Sequence, residues 1–234
     1  MNPRPTLLAV AHGTRSAAGQ RQIRDLCAAV ARRRPDLDVR LSYADVQQPR
    51  IGAVVPGVRD AVVVPLLLSA GYHVRVDIGD AVRGTGIPVT APLGPDDVLL
   101  ESLTRHLAAP ARGGEQKAKP DEADAVVLAA AGSSDPAWRE SVHALAARIP
   151  GGAHVAYAAG AESRVADVVA DLRRRGARRI AIAAYLLADG LFYRTLHRAG
   201  ADTVTPPLCL DPAVAGLVLR RYESALLTSA PAGM

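Results

Sequence analysis

The sequence predicts an α/β protein made of two similar doubly wound parallel-sheet halves. Two observations carry this. Unbroken apolar runs of strand length alternate with helix-period stretches along the chain, the pattern of parallel strands covered on both faces. The order of these runs then repeats in the second half, together with some of its letters.

Thr6–Ala11 reads as the first strand. Ser16–Arg34 follows as a helix whose apolar stripe is Ile23, Leu26, Cys27 and Val30. Val39–Asp45 is a second strand, Arg50–Val55 a short helical piece and Ala61–Leu68 a third strand. Helix Val76–Arg83, strand Pro88–Pro92 and helix Asp96–Leu107 complete the first half. Ala109–Glu122 holds both lysines of the chain with Gly and Pro and has no periodicity, so it reads as a linker. Beyond it, strands Ala125–Ala131, His154–Ala159, Arg179–Leu187 and Asp202–Pro207 alternate with helices Pro136–Arg148, Arg164–Arg175, Leu191–Arg198 and Pro212–Leu226. The expected domains are therefore residues 1–108 and 123–234, joined by 109–122, each with four strands.

Composition narrows the function classes. With 49% apolar and 22% charged residues, the 234-residue chain can bury a core. Its longest apolar run, Ala61–Ala70, falls well short of the roughly 20 residues of a membrane helix. The start of the chain shows no signal-peptide pattern, so a cytoplasmic protein with no membrane partner is expected. Cys27 and Cys209 are the only cysteines and suit a reducing compartment as small buried hydrophobes. The net charge of +5 comes with only 3% aromatics and no recognition motif, which argues against nucleic acid. Arg32–Arg34 and Arg173–Arg175 fall at expected helix ends, where cations suit the dipole. Arginine also forms bidentate pairs with carboxylates, so an acidic small molecule is the better expectation.

The repeat shows where chemistry belongs. AVAHGTR (Ala9–Arg15) aligns with AAAGSSD (Ala129–Asp135), SYADV (Ser42–Val46) with AYAAG (Ala156–Gly160), and LLSAGYHVR (Leu67–Arg75) with LLADGLFYR (Leu186–Arg194). In this register His12 becomes Ala131, Asp45 becomes Ala159 and His73 becomes Phe192, while Gly13, Gly71 and Arg75 keep their types. Two imidazoles and a carboxylate are thus lost together from one copy. All three positions lie at or just past the carboxyl end of an expected strand, the edge where open α/β sheets bind ligands. The trio suits a divalent first-row metal and can accept protons near neutral pH. His106, His143, His154 and His197 lack such a pattern and read as structural or solvated. Thr14–Ser16 opens a helix, where amides bind anions or a hydroxyl caps the end. Ser69, Tyr72, Arg75 and Asp77 cluster after a strand, and Asp77 is expected to cap the next helix. No Walker loop, CxxC, HExxH or Gly-rich nucleotide loop is present, so no organic cofactor is expected.

AVAHGTR, YADVQQP and VVPLLLSAGYHVRVDI resemble the sirohydrochlorin chelatase family, the CbiX/SirB-type class II tetrapyrrole chelatases. The resemblance extends over essentially the whole chain. It implies ATP-independent insertion of Fe²⁺ or Co²⁺, as substrate, into sirohydrochlorin, a tetrapyrrole with eight carboxylates, held in a cleft between the halves. It assigns His12 and His73 to the metal and Asp45 to an acidic role, at a position where many relatives carry Glu. Arg15, Ser69, Tyr72 and Arg75 are the residues expected to meet the macrocycle. Iron is favoured over cobalt because the chain lacks a histidine-rich tract. Cobalt or nickel insertion, or a non-catalytic tetrapyrrole or metal carrier, are the alternatives. A monomer or homodimer is expected.

Overall fold

Every residue of β1 (Thr6–Ala11) is buried, which is why this run can only be an inner strand. It pairs in parallel with β2 (Val39–Tyr43) on one side and β3 (Ala61–Leu66) on the other, giving the order β2-β1-β3. The computed structural model describes residues 4–69, 74–108, 123–133, 135–160 and 162–229, with only the backbone at 74, 75, 228 and 229. The linker expected at 109–122 lies outside the described residues.

Helix α1 (Ala17–Arg33) starts where Ser16 accepts a hydrogen bond from the Gly19 N–H and buries Ile23, Leu26 and Val30. Cys27 sits on the same helix, and burial pushes its thiol up to about 12, so it behaves as an inert hydrophobe. On the opposite face, Leu8, Val10 and Val63 pack against Ile51 of α2 (Ile51–Val54) and Ile78. The helix expected at Val76–Arg83 is a π turn, Val74–Ile78, running into a short α3 (Gly79–Val82); Asp77 lies inside that turn rather than capping a helix.

The second sheet has the order β5-β4-β6-β7, from β4 (Ala125–Ala130), β5 (His154–Tyr157), β6 (Ile180–Tyr185) and β7 (Thr203–Val204), all parallel. Helices α5 (Pro136–Ala147), α6 (Val165–Arg174) and α7 (Leu191–Leu196) alternate with these strands. Val165, Val169 and Leu172 of α6 join Ile180, Ile182 and Leu196 in the core. The Arg runs lie at helix ends as expected, with Arg32 and Arg33 in the last turn of α1 and Arg173 and Arg174 in that of α6.

The fourth strand expected in the first half shrinks to one bridge, Val63 with Val89. Its two bonds are Val63 N–H to Pro88 O and Thr90 N–H to Val63 O, each 2.9 Å. Pro88 stands where the second copy has Thr203 and has no N–H with which to extend the ladder.

The repeat and the compact units divide the chain differently. One unit is Met1–Gly94 with Asp211–Met234, and the other is Pro95–Leu210. The equivalent helices α4 (Asp97–Ala108) and α8 (Pro212–Ser229) have therefore changed places. In the first unit α8 packs on α1 and β3. Its Tyr222 is fully buried and donates to Pro5 O at 2.6 Å, and Arg221 donates to Pro92 O at 2.9 Å. In the second unit α4 packs on β6, and Asp97 pairs with Arg148 at 2.7 Å. Among the described residues no helix is long and apolar enough to cross a membrane.

One core position differs between the copies in a way that can be measured. Ser42, on β2 opposite Val10, is fully buried, and its hydroxyl meets no partner among the described residues. Ala156 takes the equivalent place on β5, also fully buried. A buried hydroxyl without a partner costs about 1–3 kcal/mol of desolvation. Ser42→Ala is expected to be neutral or to stabilise by about 1 kcal/mol, roughly 2–4 °C in a thermal melt. A clear loss of stability would mean the hydroxyl is bonded in solution.

Candidate functional site

The ladder between β1 and β2 runs two residues past its formal end. Ala44 N–H donates to Ala11 O at 2.9 Å and Asp45 N–H to His12 O at 3.0 Å. These bonds bring the His12 and Asp45 turns together at the carboxyl edge of the sheet. In the order β2-β1-β3 the connections after β1 and β3 leave in different directions, and such a switch is where open α/β sheets generally bind ligands. The second copy repeats the geometry, with Ala158 N–H to Ala130 O at 2.8 Å and Ala159 N–H to Ala131 O at 2.9 Å. Strand register agrees, since Ala11 pairs with Tyr43 and Leu66 as Ala130 pairs with Tyr157 and Tyr185. His12/Ala131 and Asp45/Ala159 are therefore equivalent in space as well as in letters.

Gly13 makes this approach possible. Its φ is +96°, and a Cβ there would lie 2.5 Å from the Asp45 carbonyl oxygen. Gly132 has φ +108° and the same 2.5 Å clash with Ala159 O. A feature shared by both copies is scaffold, and the side chains set on it are what differ.

His12 is half-buried, and its Nδ1 lies 3.2 Å from Gly13 O. A carbonyl can only accept, so this bond places a proton on Nδ1; in the neutral ring Nε2 then carries the lone pair, the usual arrangement of metal-binding histidines. The Asp45 carboxyl is held below the usual carboxylate range. The Val46 N–H is the main cause; burial opposes it, and the Arg50 guanidinium and His12 add smaller lowering effects. Arg50 Nη1 lies 2.9 Å from Asp45 Oδ1 and donates to Ala44 O at 3.1 Å. Both partners of that pair are close to half exposed, so it sets charge more than stability. Asp45 therefore favours its charged form.

The turn that carries Asp45 is strained. Val46 has φ +56°, in the left-handed region that β-branched residues avoid, at a cost on the order of 1–3 kcal/mol. Gly160, with φ +103°, occupies that place in the second copy. Gln47 then accepts a hydrogen bond from Thr14 N–H at 2.9 Å.

Of the residues expected from sequence, His12 and Asp45 come together. Ser69 is half-buried just beyond β3, and Arg15 is exposed at the start of α1, where Ser16 takes the capping role. Tyr72 and His73 lie outside the described residues, and Arg75 has only its backbone described, in the π turn. Gln47, Arg50 and Val46 were not anticipated. The signal lay one residue beyond the aligned SYADV and AYAAG motifs, where Gln47 faces Ala161. Among the described residues no three metal-ligating side chains converge.

The chain matches the CbiX family over residues 6–109 and again over 125–225. A curated relative, the sirohydrochlorin cobaltochelatase of Methanococcoides burtonii, is 24% identical over 121 residues, covering 43% of this chain and 92% of that protein. SirB from Bacillus subtilis, solved with Fe³⁺, superposes with a TM-score of 0.76 at 20% identity over 97% of both chains. CbiX, described as the terminal enzyme for biosynthesis of siroheme in denitrifying bacteria, gives 0.70 at 23% identity over 94% of this chain and 99% of that one. These two superpositions speak for the fold. The family match covers both copies of the repeat and most of the chain, and on that ground the protein belongs to the CbiX family.

Proposed function

We propose that this protein inserts a divalent first-row metal ion into sirohydrochlorin without ATP. The observation that carries the reading is the pairing of His12 with Asp45 at the ligand-binding sheet edge in one copy only. The family membership and the activity named for the Methanococcoides burtonii relative support the choice of substrate.

In the reaction M²⁺ replaces two pyrrole protons, so the site must hold a partly hydrated cation and accept protons. His12, with Nδ1 engaged by Gly13 O, offers Nε2 for one or the other. His73 is its proposed partner in handling the metal. Asp45 holds its charge against the incoming cation and steadies an imidazolium, and proton acceptance falls to imidazole. Arg15, Ser69, Tyr72 and Arg75 are proposed to meet the carboxylates of the macrocycle, with Arg suited to bidentate pairing. Remote contacts of this kind can supply the energy to distort the ring toward its metallated shape.

The test is anaerobic mixing of the protein with sirohydrochlorin and Fe²⁺, Co²⁺ or Ni²⁺ in turn, followed by macrocycle absorbance. Insertion well above the spontaneous rate, without ATP, is the expected result, with Fe²⁺ the favoured ion. Binding of the macrocycle with no acceleration by any metal would make the protein a carrier.

A further inference from the structure

We propose that Gln47 is a positioning residue that locks the His12 turn to the Asp45 turn. The inference rests on the chelatase reading above and adds a residue to it.

The two copies share most of the hydrogen bonds that shape the turn after their first strand. Gln20 Nε2 donates to Thr14 O at 2.9 Å, as Arg139 Nε donates to Ser133 O at 2.8 Å. Ser16 N–H donates to Thr14 Oγ1 at 3.1 Å, as Asp135 N–H donates to Ser133 Oγ at 3.1 Å. These bonds persist where His12 and Asp45 have become alanine, so they belong to the fold.

The bond from Thr14 N–H to Gln47 Oε1, 2.9 Å, is different. It joins the two turns through a side chain, and the second copy carries alanine at position 161, with no carboxamide to offer. The whole tripeptide has diverged, with Asp45-Val46-Gln47 set against Ala159-Gly160-Ala161. The copy with the imidazole and carboxylate holds a left-handed valine after the carboxylate and a clamp after that; the other copy has Gly160 and Ala161 in sequence at these places, and its left-handed non-glycine residue among those described is Ser163. Gln47 N–H also donates to Asp45 O at 2.5 Å, so the clamp on its side chain holds the turn that carries that carboxylate. An imidazole and a carboxylate on separate turns need such a tie, because small misplacements of groups at a reaction centre cost rate.

The test compares Gln47→Ala and Gln47→Glu in two measurements. One is steady-state metal insertion into sirohydrochlorin. The other is titration of the protein with Co²⁺ alone, read by its visible absorption. Gln47→Ala is expected to lower kcat by about 10- to 100-fold with little change in KM for the macrocycle. It should also weaken Co²⁺ binding and leave the thermal transition in place, because Gln47 is only half-buried. Gln47→Glu keeps the acceptor oxygen and should recover most of both losses. Wild-type kcat in Gln47→Ala, or a glutamate variant as impaired as the alanine one, would overturn the proposal. If no form accelerates insertion but Co²⁺ binding falls in Gln47→Ala and returns in Gln47→Glu, the clamp stands and the chelatase reading falls.

Discussion

Replacing His12 with alanine is expected to lower the rate of metal insertion about 100- to 10,000-fold, the range lost when a positioned acid–base group is removed. The fold should survive. Alanine is the residue the second copy carries at this position, on a turn with the same carbonyl contact and a glycine of similar φ. A thermal transition within about 0.5 kcal/mol of wild type is therefore expected, as for a substitution that opens no cavity and strands no buried charge. The loss should fall on kcat for a readily saturated macrocycle, since in the proposed reaction the imidazole acts at the centre and the carboxylates bind at the periphery. Insertion within about threefold of wild type in His12→Ala would remove His12 from the mechanism. Restoring a histidine at Ala131 is not expected to create a second site, because Ala159 and Phe192 have also lost their polar groups.

Deleting residues 211–234 is expected to unfold the first unit while leaving much of the second intact. Val214, Leu217, Val218 and Tyr222 of α8 are each no more than 1% exposed. Burial of four such side chains is worth roughly 6–12 kcal/mol, comparable with the whole stability of a typical domain. The deletion also removes the Pro212 carbonyl that accepts from Arg33 and the Glu223 carboxylate that pairs with Arg34 at 2.7 Å. Hydrogen exchange is expected to show protection lost over β1, β2 and β3 and retained over β4 and β6. Supplying the missing segment as a peptide should restore part of it. Full protection of β1 in the truncated chain would contradict this packing.

The parts of this molecule that could be read from sequence were those written twice. The strand centres, the glycine turns and the loss of His12 and Asp45 from one copy all follow from comparing the two halves. Two kinds of feature escaped that comparison. Pro88–Pro92 has the composition of a strand but lacks the N–H at its first residue, so only Val89 pairs. Gln47 fell just outside the aligned letters, and its role depends on a contact with Thr14, 33 positions away. The exchange of α4 and α8 was illegible for another reason. Periodicity says that a helix has an apolar face, and gives no address for the core that receives it. Both helices begin after an Asp whose carboxylate caps the first turn, accepting from Val98 N–H at Asp96 and from Ala213 N–H at Asp211, so nothing local marks either as displaced.

That exchange has a consequence for how the chain is made. Synthesis runs from the amino end, and most domains can close as soon as their own residues have emerged. Here the surface of β3 waits for a helix encoded about 150 residues later, on the order of 10–30 s at ordinary translation rates. Through that interval the nascent first unit holds an apolar face open, the condition that recruits chaperones or invites pairing between neighbouring chains on one message. The unit that bears His12 and Asp45 is the last to close.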